Sequence, residues 1–329
     1  MTTELPRQIA ILVGAGVLLV VVAGASVSVG AQNVPPVEIW RAFTAFAGSD
    51  QHLIVREIRV PRTILGIFVG AALGASGTLI QTLTRNPLAE PGILGVTSGA
   101  GFAITMGAAL GLAASESAQL LLGAAGAAIA TVLVYAVGRT SPLRLVLAGV
   151  ALSAVLSGVS LGMRLMLPEV FDAFRFWSAG SLSGREQVSL TVPLLVIGVA
   201  LLVTMAVTRP LNALALGDQV AQTLGGHTVR TRVIVLATVT VLAGAATTVA
   251  GPIAFLGLMV PHLARRLARG SIPWLMAYTL LLGPVLLLLS DVLARVLLPT
   301  GEVPVAVVTA VLGGPVLIWV VRRYGAVGL

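Results

Sequence analysis

Long runs of uncharged residues alternate with short polar segments along the whole chain. Each run approaches the ~20 residues that an α-helix needs to cross the ~30 Å hydrocarbon core of a membrane. The run from Val233 to Leu263 is too long for one span without strong tilt, and Gly251-Pro252 is its natural break. The pattern therefore predicts ten transmembrane helices: Ile9–Ala31, Thr63–Leu83, Ile93–Ala114, Ala118–Gly138, Leu145–Met163, Val188–Thr208, Val233–Ala250, Ile253–Ala264, Trp274–Ser290 and Val303–Val321.

Composition supports a polytopic membrane protein. Of 329 residues, 57% are hydrophobic and 10% are charged, whereas soluble domains carry about 25% charged residues. The apolar stretch Ile9–Val29 exceeds the ~7–15 residues of a signal-peptide core, so we interpret it as the first span. We predict an all-α fold in which residues 1–329 form a single transmembrane domain.

The distribution of arginine predicts the orientation. An even number of spans places both termini on one side of the membrane, and a cytoplasmic N-terminus puts twelve of the twenty arginines in cytoplasmic loops. We therefore expect both termini to be cytoplasmic. Two connections are long, residues 32–62 outside and residues 209–232 inside, and long loops often contact partners.

The residue inventory argues against several kinds of chemistry. The chain has no lysine, which the phosphate-binding loop of P-loop ATPases requires. It has no cysteine, and His52, His227 and His262 are too far apart to form a metal-binding motif. The middle of each predicted span lacks a carboxylate of the kind that proton-coupled carriers often use. We expect neither an enzyme, nor a metal site, nor a nucleic-acid partner.

Three segments carry a family resemblance. They are RVPRTILGIFVGAALGASGTLIQTLTRNPLAEPGILGVTSGAG from Arg59, GPIAFLGLMVPHLARR from Gly251, and GEVPVAVVTAVLGGPVLIWVVRR from Gly301. Together they closely resemble the permease subunits of ABC importers for ferric siderophores, haem and cobalamin, the type II ABC importers.

The resemblance implies a multi-pass permease in the bacterial plasma (inner) membrane, in contact with lipid. It also implies a second permease chain, identical or paralogous, two ATP-binding-cassette ATPase subunits and an extracytoplasmic binding protein. ATP and Mg would bind the ATPase subunits, and this chain would bind no cofactor. The expected cargo is a ferric siderophore first, then haem, then cobalamin. The alternative is an ion-coupled secondary transporter that acts without an ATPase.

Three arginines are candidates for docking the binding protein. In the resembled family, arginines at the RxPR string and near the outer end of the ninth span pair with acidic residues of the binding protein. The matching residues are Arg59, Arg62 and Arg295. Two alternatives stay open: Asp291 and Arg295 have the i,i+4 spacing of a helical ion pair, and Arg62 has the charge to bind lipid headgroups.

The inner connection is a candidate contact for the ATPase, since the resembled family has short cytoplasmic helices there. Its apolar residues need a partner surface, and its glycines allow the chain to turn. The alternative is a helix that lies on its own subunit. The candidate coupling residues are Leu211, Leu214, Leu216, Gly217, Asp218, Val220 and Leu224.

Small and hydroxyl residues in the spans are candidates for the translocation path, because such a lining suits a bulky chelate that is passed along. Ordinary helix–helix hydrogen bonds and a proline kink are the alternatives. Gly70, Gly74 and Gly77 similarly indicate either close helix packing or a path lining, while Arg85 and Glu90 are expected to mark the water boundary of an inner loop. The candidate path residues are Ser76, Thr97, Ser98, Ser153, Ser157, Ser160, Gly251 and Pro252.

Overall fold

The computed structural model describes residues 4–30, 32–138, 141–184, 190–223, 227–298 and 301–324. All regular secondary structure in these ranges is helical, which confirms the predicted all-α class for the described part of the chain. The helices are α1 (Glu4–Ser28), α2 (Pro36–Thr44), α3 (Asp50–Leu53), α4 (Val60–Thr84), α5 (Val96–Ala109), α6 (Glu116–Gly138), α7 (Pro142–Met166), α8 (Pro168–Ser178), α9 (Thr191–Ala215), α10 (Asp218–Thr223), α11 (Thr228–Ala250), α12 (Leu256–Ala268), α13 (Ile272–Val296) and α14 (Val305–Tyr324).

Seven of the described helices are long and apolar enough to cross a membrane, and they contain α1, α4, α6, α7, α9, α11 and α13. Two shorter apolar helices, Val96–Ala109 and Val305–Trp319, coincide with predicted spans, and α12 covers most of the predicted span Ile253–Ala264. A polytopic membrane protein is therefore established. The full count of ten spans and the side of the termini stay predictions.

The helix α4 is the centre of the fold. It packs most extensively against α13 and also contacts α11, α12 and α9. A Cβ atom added at Gly70 would lie 2.7 Å from the Cα of Pro284, and one added at Gly77 would lie 2.7 Å from the Cα of Gly257. The glycines of this span therefore serve close helix packing, the first of the two readings, because only a residue without a side chain lets the backbones approach so closely.

The predicted break at Gly251-Pro252 is present between α11 and α12. Residues 251–254 are not helical, and Gly251 has a φ of +74°, in the left-handed region that favours glycine. Phe255, which precedes α12, also has a positive φ of +67°. The break exposes backbone groups inside the bundle, and the loop before α5 folds back to contact them.

That loop is the main departure from the predicted spans. The predicted span Ile93–Ala114 begins later, at Val96, because Pro91–Leu94 form a short 3-10 turn and Gly95 has a φ of +74°. Another boundary moves in the opposite direction, since α9 continues to Ala215, beyond the predicted end at Thr208. Its predicted start, Val188, lies outside the described residues.

Candidate functional site

A buried ion cluster joins one end of α4 to the C-terminal half of α13. It consists of Arg62, Asp291, Arg295 and Glu302. Arg62 donates through Nη2 to Asp291 Oδ1 at 2.8 Å and through Nη1 to Glu302 Oε2 at 2.7 Å, and Arg295 Nη2 donates to Asp291 Oδ2. Asp291 is fully buried, and the Glu302 side chain is 35% exposed. The cluster ties α4, α13 and the segment before α14 together.

Backbone carbonyls of α1 and of the residues after it complete the surroundings of these arginines. Arg295 Nη1 donates to Ser26 O at 2.7 Å, and Arg59 Nη1 donates to Val27 O at 2.8 Å and to Ser28 O at 2.7 Å. Arg59 Nη2 also donates to Gln32 O. These carbonyls accept hydrogen bonds that the end of a helix otherwise leaves unmade.

The structure thus brings the three candidate docking arginines close together, but it buries them. Arg59 is 5% exposed, Arg62 is 6% exposed and Arg295 is 5% exposed. The pair between Asp291 and Arg295, one of the alternatives from the sequence, is present. In this conformation all three guanidinium groups bind partners within the chain, so docking through them stays a prediction and would require these contacts to open.

A hydroxyl-lined cavity lies between α5, α7, α8 and the break after α11. Its volume is about 330 Å³. It collects six of the eight candidate path residues from separate parts of the chain: Thr97, Ser98, Ser153, Ser157, Ser160 and Pro252. Other lining residues include Gly92, Gly101, Phe102, Arg164, Phe174, Trp177 and Ser178.

The hydroxyl groups of the cavity differ in their hydrogen bonds. Ser98 and Ser153 bond to each other across α5 and α7 at 2.8 Å, as the helix-packing alternative expects, and Ser160 donates to the Leu156 carbonyl of its own helix. Ser157 is exposed, and within the described residues neither it nor Thr97 makes a side-chain hydrogen bond. These two hydroxyls are available to a ligand.

Two candidate path residues lie elsewhere. Ser76 is fully buried in α4, and its hydroxyl donates to the Leu73 carbonyl at 2.9 Å. Gly251 packs closely against the backbone of Trp177, whose indole Nε1 donates to Thr247 O at 3.1 Å. Gly251 therefore supports the wall of the cavity from behind, whereas its neighbour Pro252 reaches the cavity itself.

Sequence reasoning missed the aromatic and cationic part of this cavity. The spacing of Phe174 and Trp177, three residues apart on an amphipathic helix directly after a span, was a usable signal, because it puts both rings on one helix face. The sequence pattern indicates only that Arg164 lies outside the predicted cytoplasmic loops. Its guanidinium lies over the Phe174 ring, with Cζ 3.9 Å from the ring centroid.

The loop residue Glu90 lies beside the broken helix. We expect it to mark the water boundary of an inner loop, and this stays a prediction. In the structure it lines a second cavity of about 120 Å³ together with Leu73, which is in the middle of α4, and Pro252. Its carboxylate also lies near the backbone of Phe255, directly before α12. The sequence gives no sign of this placement, because it depends on how the loop packs against the broken helix in the folded bundle.

The candidate coupling segment splits into two groups. Leu211 and Leu214 on α9 are buried in the chain's own core, as the alternative of a helix on its own subunit expects. Leu216 is 66% exposed and Val220 is 42% exposed, with Gly217 between them at a φ of +120°. Asp218 begins α10, and Leu224 lies outside the described residues. A role in ATPase contact stays a prediction that depends chiefly on Leu216 and Val220.

Within the described ranges, no three His, Asp or Glu side chains are grouped so that they could hold a metal ion. The structure contains a cavity lined by hydroxyls and aromatic rings, and a rigid frame in which the buried ion cluster joins α4, α13 and the segment before α14. Such a cavity offers hydrogen bonds and ring surfaces to a solute.

Comparison with known proteins identifies the family. Residues 18–323 match the FecCD transport family. The chain is 46% identical over 311 residues to the ferric enterobactin transport system permease protein FepD of Escherichia coli (strain K12), covering 93% of each chain. It is 37% identical over 278 residues to the Fe(3+) dicitrate transport system permease protein FecC of the same organism, covering 83% of this chain and 84% of FecC.

The fold also has a solved counterpart. A metal-chelate type ABC transporter in an inward-facing conformation superimposes with a TM-score of 0.82 at 28% sequence identity, covering 95% of this chain and 99% of that one. The match between family, relatives and fold extends over nearly the whole chain. The chain therefore belongs to the FecCD transport family and is a permease subunit of the metal-chelate ABC transporter type.

Proposed function

We propose that this chain is the membrane permease through which a ferric siderophore of the enterobactin class enters the cell, driven by ATP hydrolysis on separate subunits. The observation that carries the proposal is the hydroxyl-lined cavity, which gathers polar side chains of α5 and α7 beside a broken helix. Irregular backbone within a membrane protein is tolerated where it is buried in protein or lines a cavity.

The proposed cargo is chosen by the degree of sequence identity to permeases with a named cargo. Identity to the ferric enterobactin permease is 46%, whereas identity to the ferric dicitrate permease FecC is 37%. A lining of hydroxyl and aromatic groups suits a large organic chelate that is handed on without tight binding, because such groups contribute many weak contacts. Haem and cobalamin rank after the ferric siderophore as cargo.

The partners follow from the family. The permease pairs with a second permease chain, identical or paralogous, and receives its cargo from an extracytoplasmic binding protein. Two ATPase subunits bind ATP and Mg, and the permease itself binds no cofactor. Leu216 and Val220 contact the ATPase subunits. They support this role because they are exposed apolar residues, and Leu216 directly follows Ala215, which lines a cavity of about 270 Å³ together with Arg85 and Arg265.

In the proposed topology ten spans cross the bacterial plasma (inner) membrane and both termini are cytoplasmic. The short helices α5 and α12 count as spans because neighbouring loops complete their passage: Pro91–Leu94 precede α5, and residues 251–255 precede α12. Arginine enrichment in the loops assigned to the cytoplasm supports this orientation.

The experiment that tests the cargo is uptake by the complete complex in proteoliposomes, with ferric enterobactin, haem and cobalamin supplied in parallel. The proposal expects ATP-dependent uptake of ferric enterobactin that requires the binding protein. Uptake of haem or cobalamin in its place would overturn the cargo and leave the family unchanged.

The same vesicles separate the proposal from an ion-coupled secondary transporter. An ATP-driven permease takes up no cargo when the ATPase subunits are left out, whatever ion gradient is imposed. Robust uptake by the permease alone, driven by a proton or sodium gradient, would contradict ATP coupling.

A further inference from the structure

One positively charged side chain lines the hydroxyl-lined cavity. Arg164, near the C-terminal end of α7, is the only charged residue among those that line it in the described part of the chain. The neighbouring ion pair between Asp172 and Arg175, at 3.4 Å, is exposed on α8 and does not line the cavity. No described carboxylate of the lining therefore neutralises Arg164.

Two contacts fix the guanidinium of Arg164 in place. Its Nε donates to the Ser160 carbonyl at 3.0 Å, and its plane lies near the Phe174 ring at a Cζ to centroid distance of 3.9 Å. Among the described residues, the two terminal nitrogens of Arg164 have no hydrogen-bond partner. Each is a charged donor that can bind an anionic oxygen, and such charge-assisted hydrogen bonds are about twice as strong as neutral ones.

Aromatic rings line the same cavity as this cation. Phe174 and Trp177 from α8 have ring centroids 5.4 Å apart with an interplanar angle of 56°, and Phe102 from α5 also lines the cavity. Rings in such tilted arrangements leave edges and faces on which a further aromatic ring can pack. The lining thus combines a cation, ring surfaces and free hydroxyls.

We propose that Arg164 is a specificity-determining residue, which selects a ferric chelate with net negative charge and aromatic oxygen donors, as in a catecholate complex. The inference rests on the proposed function and extends it, since it names the chemistry of the cargo. The terminal nitrogens of Arg164 bind the anionic oxygens of the chelate, while Phe102 contacts its rings. A neutral hydroxamate chelate lacks both the charge and the rings and gains nothing from this site.

The test compares charge variants of Arg164 in the complete reconstituted complex. The measured quantity is ferric enterobactin imported per ATP hydrolysed, because a change that only damages folding or assembly lowers both activities and leaves their ratio in place. The variants are Arg164→Lys, Arg164→Gln and Arg164→Glu. Arg175→Gln is the matched control, since it removes an arginine from the adjacent exposed face of α8.

We expect the ratio to follow the charge. Arg164→Lys keeps at least half of the wild-type ratio. In Arg164→Gln the ratio falls about tenfold, as expected for the loss of a hydrogen bond to a charged group. In Arg164→Glu the ratio falls further. Arg175→Gln stays at the wild-type value. A wild-type ratio in Arg164→Gln would overturn the proposal, and so would an equal loss in Arg164→Lys and Arg164→Gln, because that result assigns the effect to packing on Phe174.

Failure of the inference is distinguishable from failure of the proposed function. If the wild-type complex imports ferric enterobactin and the Arg164 variants match it, only the role of Arg164 is wrong. If the wild-type complex hydrolyses ATP and imports a neutral ferric trihydroxamate in place of ferric enterobactin, both the cargo and the role of Arg164 are wrong.

Discussion

The helices α4 and α7 have the same length and nearly the same hydropathy, yet their environments are opposite. The segment that contains α4 has a mean hydropathy of 1.9 and is 83% buried in its most apolar window, whereas α7 has a mean hydropathy of 2.1 and is 17% buried. The first helix is enclosed by α13, α11, α12 and α9. The second packs on one side only and has the hydroxyl-lined cavity beside it.

The difference shows that one chain contains a rigid frame and a face that remains to be covered. Around α4, glycines bring backbones together and a buried ion cluster joins the helix ends, so side chains there determine stability. Along α7, the apolar residues Val150, Val155 and Val159 are exposed and are expected to contact lipid or a partner subunit. Substitutions around α4 should therefore change the stability of the fold, whereas substitutions along α7 should change contacts with cargo or partners.

Among substitutions that keep the size of the side chain, the largest loss of stability is expected at Asp291. The change Asp291→Asn removes the negative charge with which both Arg62 and Arg295 form ion pairs. It therefore leaves two buried guanidinium groups without this ion-pair partner. Breaking a buried ion pair by removing one partner costs about 3–5 kcal/mol. Denaturation of the purified permease in detergent measures this loss of unfolding free energy.

Asp172→Asn is the control for Asp291→Asn, because Asp172 forms an exposed pair with Arg175. Exposed pairs contribute about 0–1 kcal/mol. Equal stability losses in the two variants would mean that the buried ion cluster does not hold the frame together.

A smaller loss of unfolding free energy is expected from a substitution at the contact between α4 and α12. Gly77→Ala adds a Cβ atom within 2.7 Å of the Gly257 Cα, so the two backbones must separate. Overpacking of this kind costs about 1–3 kcal/mol, which thermal unfolding detects. Gly14→Ala on α1 is the matched control, since the space around Gly14 is open, and it should leave the unfolding temperature unchanged.

The loop that folds back toward α12 should show a still smaller effect. Glu90→Ala removes a carboxylate that lies near the Phe255 backbone at the start of α12, and the loss of a polar contact of this kind is expected to cost about 0.5–1.5 kcal/mol. Limited proteolysis and thermal unfolding both report on this loss. The exposed Glu116, in the first turn of α6, provides the control variant Glu116→Ala. An equal shift in both variants would mean that Glu90 does not stabilise the start of α12.

The smallest effect on stability is expected in the exposed coupling segment. Leu216→Asp places a charge on a side chain that is 66% exposed, so the unfolding free energy should change by less than about 0.5 kcal/mol. Co-purification with the ATPase subunit should nevertheless fall. Leu211→Asp, in contrast, should unfold the chain because Leu211 is fully buried. Retained ATPase binding by Leu216→Asp would exclude Leu216 from the contact.

Much of the frame was predictable from the sequence. Uncharged runs located the long helices, and Gly251-Pro252 located the break between α11 and α12. Small residues in α4 indicated close packing. The distinction between α4 and α7 was not predictable, because both are apolar on all sides and burial depends on which neighbours the chain supplies.

The candidate site was predictable only in part. Hydroxyl positions on α5 and α7 were recognised as path candidates, but Ser76 looks the same in sequence and lies in the core. The role of Arg62 depends on Asp291 and Glu302, which are more than two hundred residues away in the chain. Side-chain partners at such separation, and a loop that folds back into the bundle at Glu90, follow from tertiary packing and not from local pattern.

The natural absence of cysteine permits a direct test of the central claim that cargo passes along the α7 face and not through the α4 frame. Single variants Ser157→Cys and Ser76→Cys are labelled with a membrane-impermeant thiol reagent in the assembled complex, with and without binding protein that carries ferric enterobactin. The account predicts that Ser157→Cys is labelled and that cargo protects it, whereas Ser76→Cys is not labelled. Cargo-sensitive labelling at Ser76→Cys together with an inert Ser157→Cys would contradict the account.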